Sequence, residues 1–175
     1  ECQTGHKCSQ KCINTEGGYR CECFENYELK NNTSCVVKGP EPLLIFTDSF
    51  SVKALYPDTY RLIKVTKTHC RPSGIDMDVN NEKIYWIEVC QGHGKVYSAE
   101  IHQSNYELII ENGLNTPEDT AVDWVAGNLY VTDSGFNQII VCKIGRTICS
   151  IIIKEGIDKV KSIELDPSNA IMYWS

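Results

Sequence analysis

The chain has 175 residues, of which 42% are hydrophobic and 23% charged, and its net charge is −6. This is a globular composition that excludes disorder as the main state, and an acidic balance without a basic block excludes a nucleic-acid binder. No run approaches the ~18 apolar residues of a membrane helix, and Glu1-Cys2 does not open a signal peptide. The expectation is a piece of a longer extracellular precursor that does not itself insert into a membrane.

Cysteine is the informative residue. Of ten, six fall within the first 35 positions, at Cys2, Cys8, Cys12, Cys21, Cys23 and Cys35. Such density predicts a small disulfide-stapled domain made in an oxidising compartment. Val36-Val37-Lys38-Gly39-Pro40-Glu41-Pro42 follows, and its prolines and glycine mark a connection. The expected division is a first domain over 1–36, a linker over 37–42 and a second domain over 43–175.

From Leu43 onward, short β-branched and aromatic runs alternate with Asn, Asp, Gly and Pro, without a helical period. That texture predicts an all-β region. An Asp-to-aromatic offset recurs at Asp78-x6-Tyr85-Trp86, Asp123-x6-Tyr130-Val131 and Asp166-x6-Tyr173-Trp174. Asp78 and Asp123 are 45 residues apart and Asp123 and Asp166 are 43 apart, which is the period of four-stranded propeller blades. One blade is read as strands near 73–78, 83–89, 95–101 and 106–111, and the next as 118–124, 128–133, 137–144 and 147–154. Runs at 43–47, 52–56 and 60–66 read as an earlier blade without its first strand, and 160–175 supplies two strands of a later one. Each Asp can accept hydrogen bonds from the tight turn that follows its strand. Adjacent Tyr and Trp should point to opposite sheet faces, each filling the gap to a neighbouring blade. Recurrence at one structural position marks these Asp residues as scaffold, so no catalytic residue is assigned and no enzyme is expected.

The four later cysteines fit this strand map. A two-residue turn at Gly145-Arg146 sets Cys142 opposite Cys149, while Cys70 opens one strand and Cys90 ends its partner. Disulfides Cys70–Cys90 and Cys142–Cys149 are the reading. The alternative, a zinc site from Cys70, Cys90 and His93, falls short of four convergent ligands.

The first domain resembles an EGF-like domain through Cys8-Ser9-Gln10-Lys11-Cys12-Ile13-Asn14-Thr15-Glu16-Gly17-Gly18-Tyr19-Arg20-Cys21-Glu22-Cys23. The repeat resembles the YWTD six-bladed propeller, with Ile45-Phe46-Thr47-Asp48, Tyr85-Trp86-Ile87-Glu88, Tyr130-Val131-Thr132-Asp133 and Tyr173-Trp174-Ser175 at the motif positions. The order of units is similar to that of the low-density lipoprotein receptor family, and the departures from the motif suit a diverged branch such as arthropod vitellogenin or lipophorin receptors. The fold so implied is mainly β: an EGF-like domain, then part of a six-bladed propeller with two whole and two incomplete blades.

The resemblance further implies disulfides Cys2–Cys12, Cys8–Cys21 and Cys23–Cys35. It also implies a calcium site of the EGF-like class, truncated at its N-terminal side, with ligands from Glu1, Asn14, Thr15 and Gly18. Calcium takes six or more oxygens, so binding should be weak in this piece. The sequons Asn31-Asn32-Thr33 and Asn32-Thr33-Ser34 mark Asn31 and Asn32 as glycosylation candidates. In the resembled family the propeller helps release ligand in acid, and His93, expected in a Gly-flanked loop, and His102, expected at a turn, are candidates for the responding groups because imidazole titrates in that range. The implied role is the extracellular part of a single-pass endocytic receptor for lipoprotein or yolk protein. Its propeller would meet acidic cysteine-rich ligand-binding repeats at low pH. A nidogen-type matrix protein that binds laminin is the rival, and a propeller hydrolase lacks a His and carboxylate cluster.

Overall fold

The structure is a computed structural model that describes every residue except Glu1, Thr4, Pro40, Ser104 and Thr147. The described residues form strands and turns and no helix. They divide into two compact units, Glu1–Glu41 and Pro42–Ser175.

In the first unit, β1 (Lys11–Thr15) and β2 (Gly18–Glu22) make one hairpin, and β3 (Tyr27–Lys30) and β4 (Ser34–Val37) make another. Gly17, at φ +84°, occupies the first hairpin's tip, a conformation that suits glycine. The only buried hydrophobic residue described in this unit is Cys21. Covalent staples replace a core here, with disulfides Cys2–Cys12, Cys8–Cys21 and Cys23–Cys35.

The second unit is a series of antiparallel sheets. The first blade contains β5 (Leu44–Asp48), β6 (Ser51–Tyr56) and β7 (Arg61–Lys67). The second contains β8 (Pro72–Asp78), β9 (Lys83–Cys90), β10 (His93–Glu100) and β11 (Tyr106–Ile110). The third contains β12 (Pro117–Asp123), β13 (Asn128–Asp133), β14 (Gln138–Lys143) and β15 (Cys149–Ile153). Finally, β16 (Ile163–Asp166) pairs with β17 (Ile171–Trp174).

Hydrophobic clusters lie between successive blades. Ile84 and Trp86 join Val52, Ala54 and Val65 of the first blade, whereas Tyr85 and Ile87 join Val122, Leu129 and Val131 of the third. The two-residue pleat of β9 thus sends neighbours to opposite faces, and both Tyr85 and Trp86 are fully buried. A third cluster, with Ala121, Ile139, Val160 and Ile163, joins the third blade to the β16–β17 sheet.

Two local expectations are corrected. His93 is not in a loop but opens β10, paired with Cys90 across the turn Gln91-Gly92. Both turn residues have positive φ, which matches the twist of the flanking strands. The connection from β14 to β15 is not a two-residue turn on Gly145-Arg146. Arg146 N donates to Lys143 O, so Ile144 and Gly145 form the turn's centre, with Gly145 at φ +77°. Lys143 N donates to Ile148 O, and Cys142 stands opposite Cys149.

Candidate functional site

Asp78, Asp123 and Asp166 end the first strand of successive sheets and hold the following turn. Asp78 Oδ1 accepts from Asn80 N (3.0 Å) and Asn81 N (3.2 Å), and Oδ2 accepts from Asn81 Nδ2 (2.8 Å). Asp123 Oδ1 accepts from Val125 N (3.0 Å) and Ala126 N (2.8 Å). Asp166 takes Asn169 N and Nδ2 in the same way. Each carboxylate satisfies turn donors that strand pairing leaves unpaired.

A second set of acids, at the ends of β9 and β13, grips the connection that leads into each blade. Asp133 is fully buried and accepts from Asn115 N (2.7 Å) and Thr116 N (3.0 Å), and its Oδ1 also accepts from Gly135 N and Phe136 N. Glu88 stands at the equivalent place. Its Oε2 accepts from His69 N (3.0 Å) and Cys70 N (3.1 Å), and the extra methylene lets Oε1 reach Trp86 Nε1 at 3.0 Å. The roles of Glu88 and Asp133 are absent from the sequence reading, although an acid three residues after the motif's first position recurs at Asp48, Glu88 and Asp133.

A third set links blades directly. Asp76 Oδ2 accepts from Val122 N (2.7 Å), and Asp119 Oδ2 accepts from Ile163 N (3.2 Å), each across an inter-blade gap. Burial is the main cause that raises both carboxyls above the ordinary Asp range, with the charge of Glu164 adding to it. Glu118 is lowered instead, chiefly by a hydrogen bond from Ser134 Oγ at 2.6 Å and further by Lys161. All these carboxylates serve backbone amides, side-chain donors or an ion pair within and between the sheets, so their arrangement is scaffold chemistry.

The residues singled out from sequence fall in several places. Cys70 is bonded to Cys90 and Cys142 to Cys149, so none of these sulfurs offers a thiolate to zinc beside His93. His93 and His102 are both exposed, but they lie at opposite ends of β10, on the order of 25 Å apart along the strand. The fold does not bring them into one patch. Asn14, Thr15 and Gly18 do converge at the tip of the β1–β2 hairpin, where Thr15 pairs with Gly18. Asn14 Oδ1 accepts from Cys2 N at 2.9 Å, and Glu1 lies outside the described residues. Calcium takes six or more oxygens, and Asn14, Thr15 and Gly18 together fall short of that number. Asn31 and Asn32 are exposed in the turn from β3 to β4, both with positive φ.

Comparison with known proteins places this scaffold. Residues 82–124 match the family described as low-density lipoprotein receptor repeat class B. The chain is 32% identical to vitellogenin receptor Yl of Drosophila melanogaster, in an alignment covering 96% of this chain and 9% of that protein. It is 34% identical to low-density lipoprotein receptor-related protein 8 of Gallus gallus, over 77% of this chain and 19% of that one. Low-density lipoprotein receptor-related protein 5 of Mus musculus is 31% identical, over 81% and 9% respectively. The chain therefore spans less than a fifth of the length of these relatives. Among solved structures, a crystal structure of a nidogen/laminin complex matches with a TM-score of 0.68 and 22% identity, covering 75% of this chain and 51% of that chain. With receptors of this class similar in sequence and a propeller similar in fold, residues 82–124 are a low-density lipoprotein receptor class B repeat in a chain that resembles these receptors.

Proposed function

We propose that the chain is the EGF-like and propeller module of an endocytic receptor for lipoprotein or yolk protein, lying in the receptor's extracellular part. The observation that carries this reading is the alignment with a vitellogenin receptor over 96% of the chain, which spans both units. In this proposal residues 1–36 are the EGF-like domain, 37–42 a linker and 43–175 part of the propeller. The module aids ligand release in endosomes, with exposed His93 and His102 as its candidate contacts to acidic cysteine-rich repeats of the same receptor. Calcium belongs at the hairpin tip through Asn14, Thr15 and Gly18 with Glu1, and a glycan at Asn31 or Asn32. A nidogen-like matrix role rests on the fold match alone.

Ligand release from the parent receptor tests this, with and without the propeller, as pH falls from about 7.4 to about 5.5 through the imidazole range. Release should depend on the propeller, and undiminished release after its deletion overturns the reading. Replacement of His93 and His102 by Ala, singly and together, assigns the responding group. Calorimetric titration of the chain with calcium should give weak binding that Asn14→Ala removes.

A further inference from the structure

The outermost strands of the three larger sheets occupy the same structural position but have different chemistry. β7 carries Arg61, Lys64 and Lys67. β11 carries Glu107, paired with Lys83 at 2.7 Å, and is followed by Glu111, paired with Lys95 at 3.1 Å. Charges of this kind are how edge strands resist pairing with another chain. β15, with the sequence Cys-Ser-Ile-Ile-Ile, has none. It is the terminal strand of its sheet, so one side of its backbone is unpaired within the blade.

Its apolar residues are exposed even where the neighbouring blade is four-stranded. Ile151 is paired with Ile140 and Cys149 with Cys142, and both partners pack into the cluster shared with the second blade. Ile151 therefore faces that blade and still remains 53% exposed. Ile152 sits at a register shift and is 42% exposed, and Ile148, just before the strand, is 62% exposed. A groove of about 380 Å³ opens beside Cys149, lined by Leu108, Ile109, Ile110, Glu111 and Asn112.

We infer that β15 is a docking edge on which a partner adds an extended segment with an apolar centre and acidic ends. Strand addition supplies main-chain hydrogen bonds, and the groove takes an apolar side chain. The charge flanking the strand selects the occupant. Arg146 precedes it and Lys154 follows it; both are exposed, and neither makes an ion pair among the described residues. Antiparallel pairing with a second copy brings the Lys154 end of one β15 to the Arg146 end of the other, which like-charge repulsion opposes. An acidic-ended strand meets Arg146 at one end and Lys154 at the other, where Glu155 follows Lys154 and Glu111 of the groove is already paired with Lys95.

The test uses the 175-residue chain and two fluorescent nonapeptides with the same alternating valine and threonine centre, one with two acidic residues at each end and the other with two lysines. Fluorescence anisotropy should show the acidic-ended peptide binding at least ten-fold more tightly, with affinity falling as salt rises. The double variant Arg146→Glu, Lys154→Glu should reverse the preference, and its circular dichroism should match the parent's because both residues are exposed. Ile151→Lys should weaken both peptides. Hydrogen exchange should slow at β15 amides when the acidic-ended peptide is added. Absent binding, or equal binding of the two peptides, overturns the inference. Sedimentation showing a dimer that Ile151→Lys dissolves also overturns it, because the occupant is then a second copy.

Discussion

The two units of this chain reach stability by opposite means. Among the described residues of 2–41 only Cys21 is buried, and three disulfides close the short loops. Pro42–Ser175 carries three hydrophobic clusters, and its two disulfides add to sheets that strand pairing already defines, Cys142–Cys149 across β14 and β15 and Cys70–Cys90 from the connection before β8 to the end of β9. A unit of roughly forty residues cannot bury enough surface to hold itself, whereas stacked blades share each core between neighbours. Damage should therefore be covalent in origin in the first unit and apolar in origin in the second.

Trp86→Ala should have the largest effect, because it empties a fully buried site between the first and second blades and removes a donor to Glu88. Large-to-small changes of this kind cost about 3–5 kcal/mol, and urea unfolding followed by far-ultraviolet circular dichroism measures it. The first unit should be untouched, with its three disulfides still found by non-reducing peptide mapping. The reciprocal experiment removes Cys8 and Cys21 together, at a cost of roughly 2–5 kcal/mol. Hydrogen exchange should then rise across β1 to β4 while amides of β9 and β13 stay protected. Equal loss of protection in both units contradicts the contrast.

Much of this contrast was legible in the sequence, for identifiable physical reasons. Cysteine spacing marked the first unit, and the Asp-to-aromatic repeat located the strands because each Asp must sit where its turn needs an acceptor. Tyr85 and Trp86 could be assigned to opposite faces because the strand period is two. Turn chemistry was less legible: Gly145 takes a positive φ at the second central position of its turn, while the expected turn put it at the first. His93 lies in a strand because Gln91 and Gly92 suffice to reverse the chain. Inter-blade links were hidden altogether, since Asp76 and Asp119 bond backbone groups more than forty positions away. No local pattern encodes such a partner.

Asp133→Ala probes the next level down, where a polar staple supports the apolar stack. It strands the amides of Asn115, Thr116, Gly135 and Phe136, each of which donates to the carboxylate. Unsatisfied buried donors cost about 1–3 kcal/mol each, but these lie near turns where water can enter, so a total of about 3 kcal/mol is expected from urea unfolding. Asp133→Asn keeps an acceptor and should recover part of the loss. If Ala and Asn behave alike, the carboxylate is not the staple.

The smallest expected effect concerns pH and returns to the proposed role. Asp76 is raised above its ordinary value of 3.8, chiefly by burial, so the folded chain holds a proton more readily than the unfolded one. Stability should rise as pH falls through the raised value, and the gain is complete below about 3.8. Asp119 acts in the same direction. Glu118 acts oppositely: being lowered from 4.5, it contributes stability above that value and loses it as pH falls through the lowered one. The two kinds of acid thus oppose each other as pH falls, Glu118 losing stability while Asp76 and Asp119 add it. Asp76→Asn is neutral throughout, so the melting temperature of the variant relative to the parent should be higher at neutral pH than near pH 4. A constant gap removes ionisation of Asp76 from the account. The direction of the Asp76 and Asp119 shifts opposes separation of the blades in acid, so the proposed acid response falls to groups outside these links.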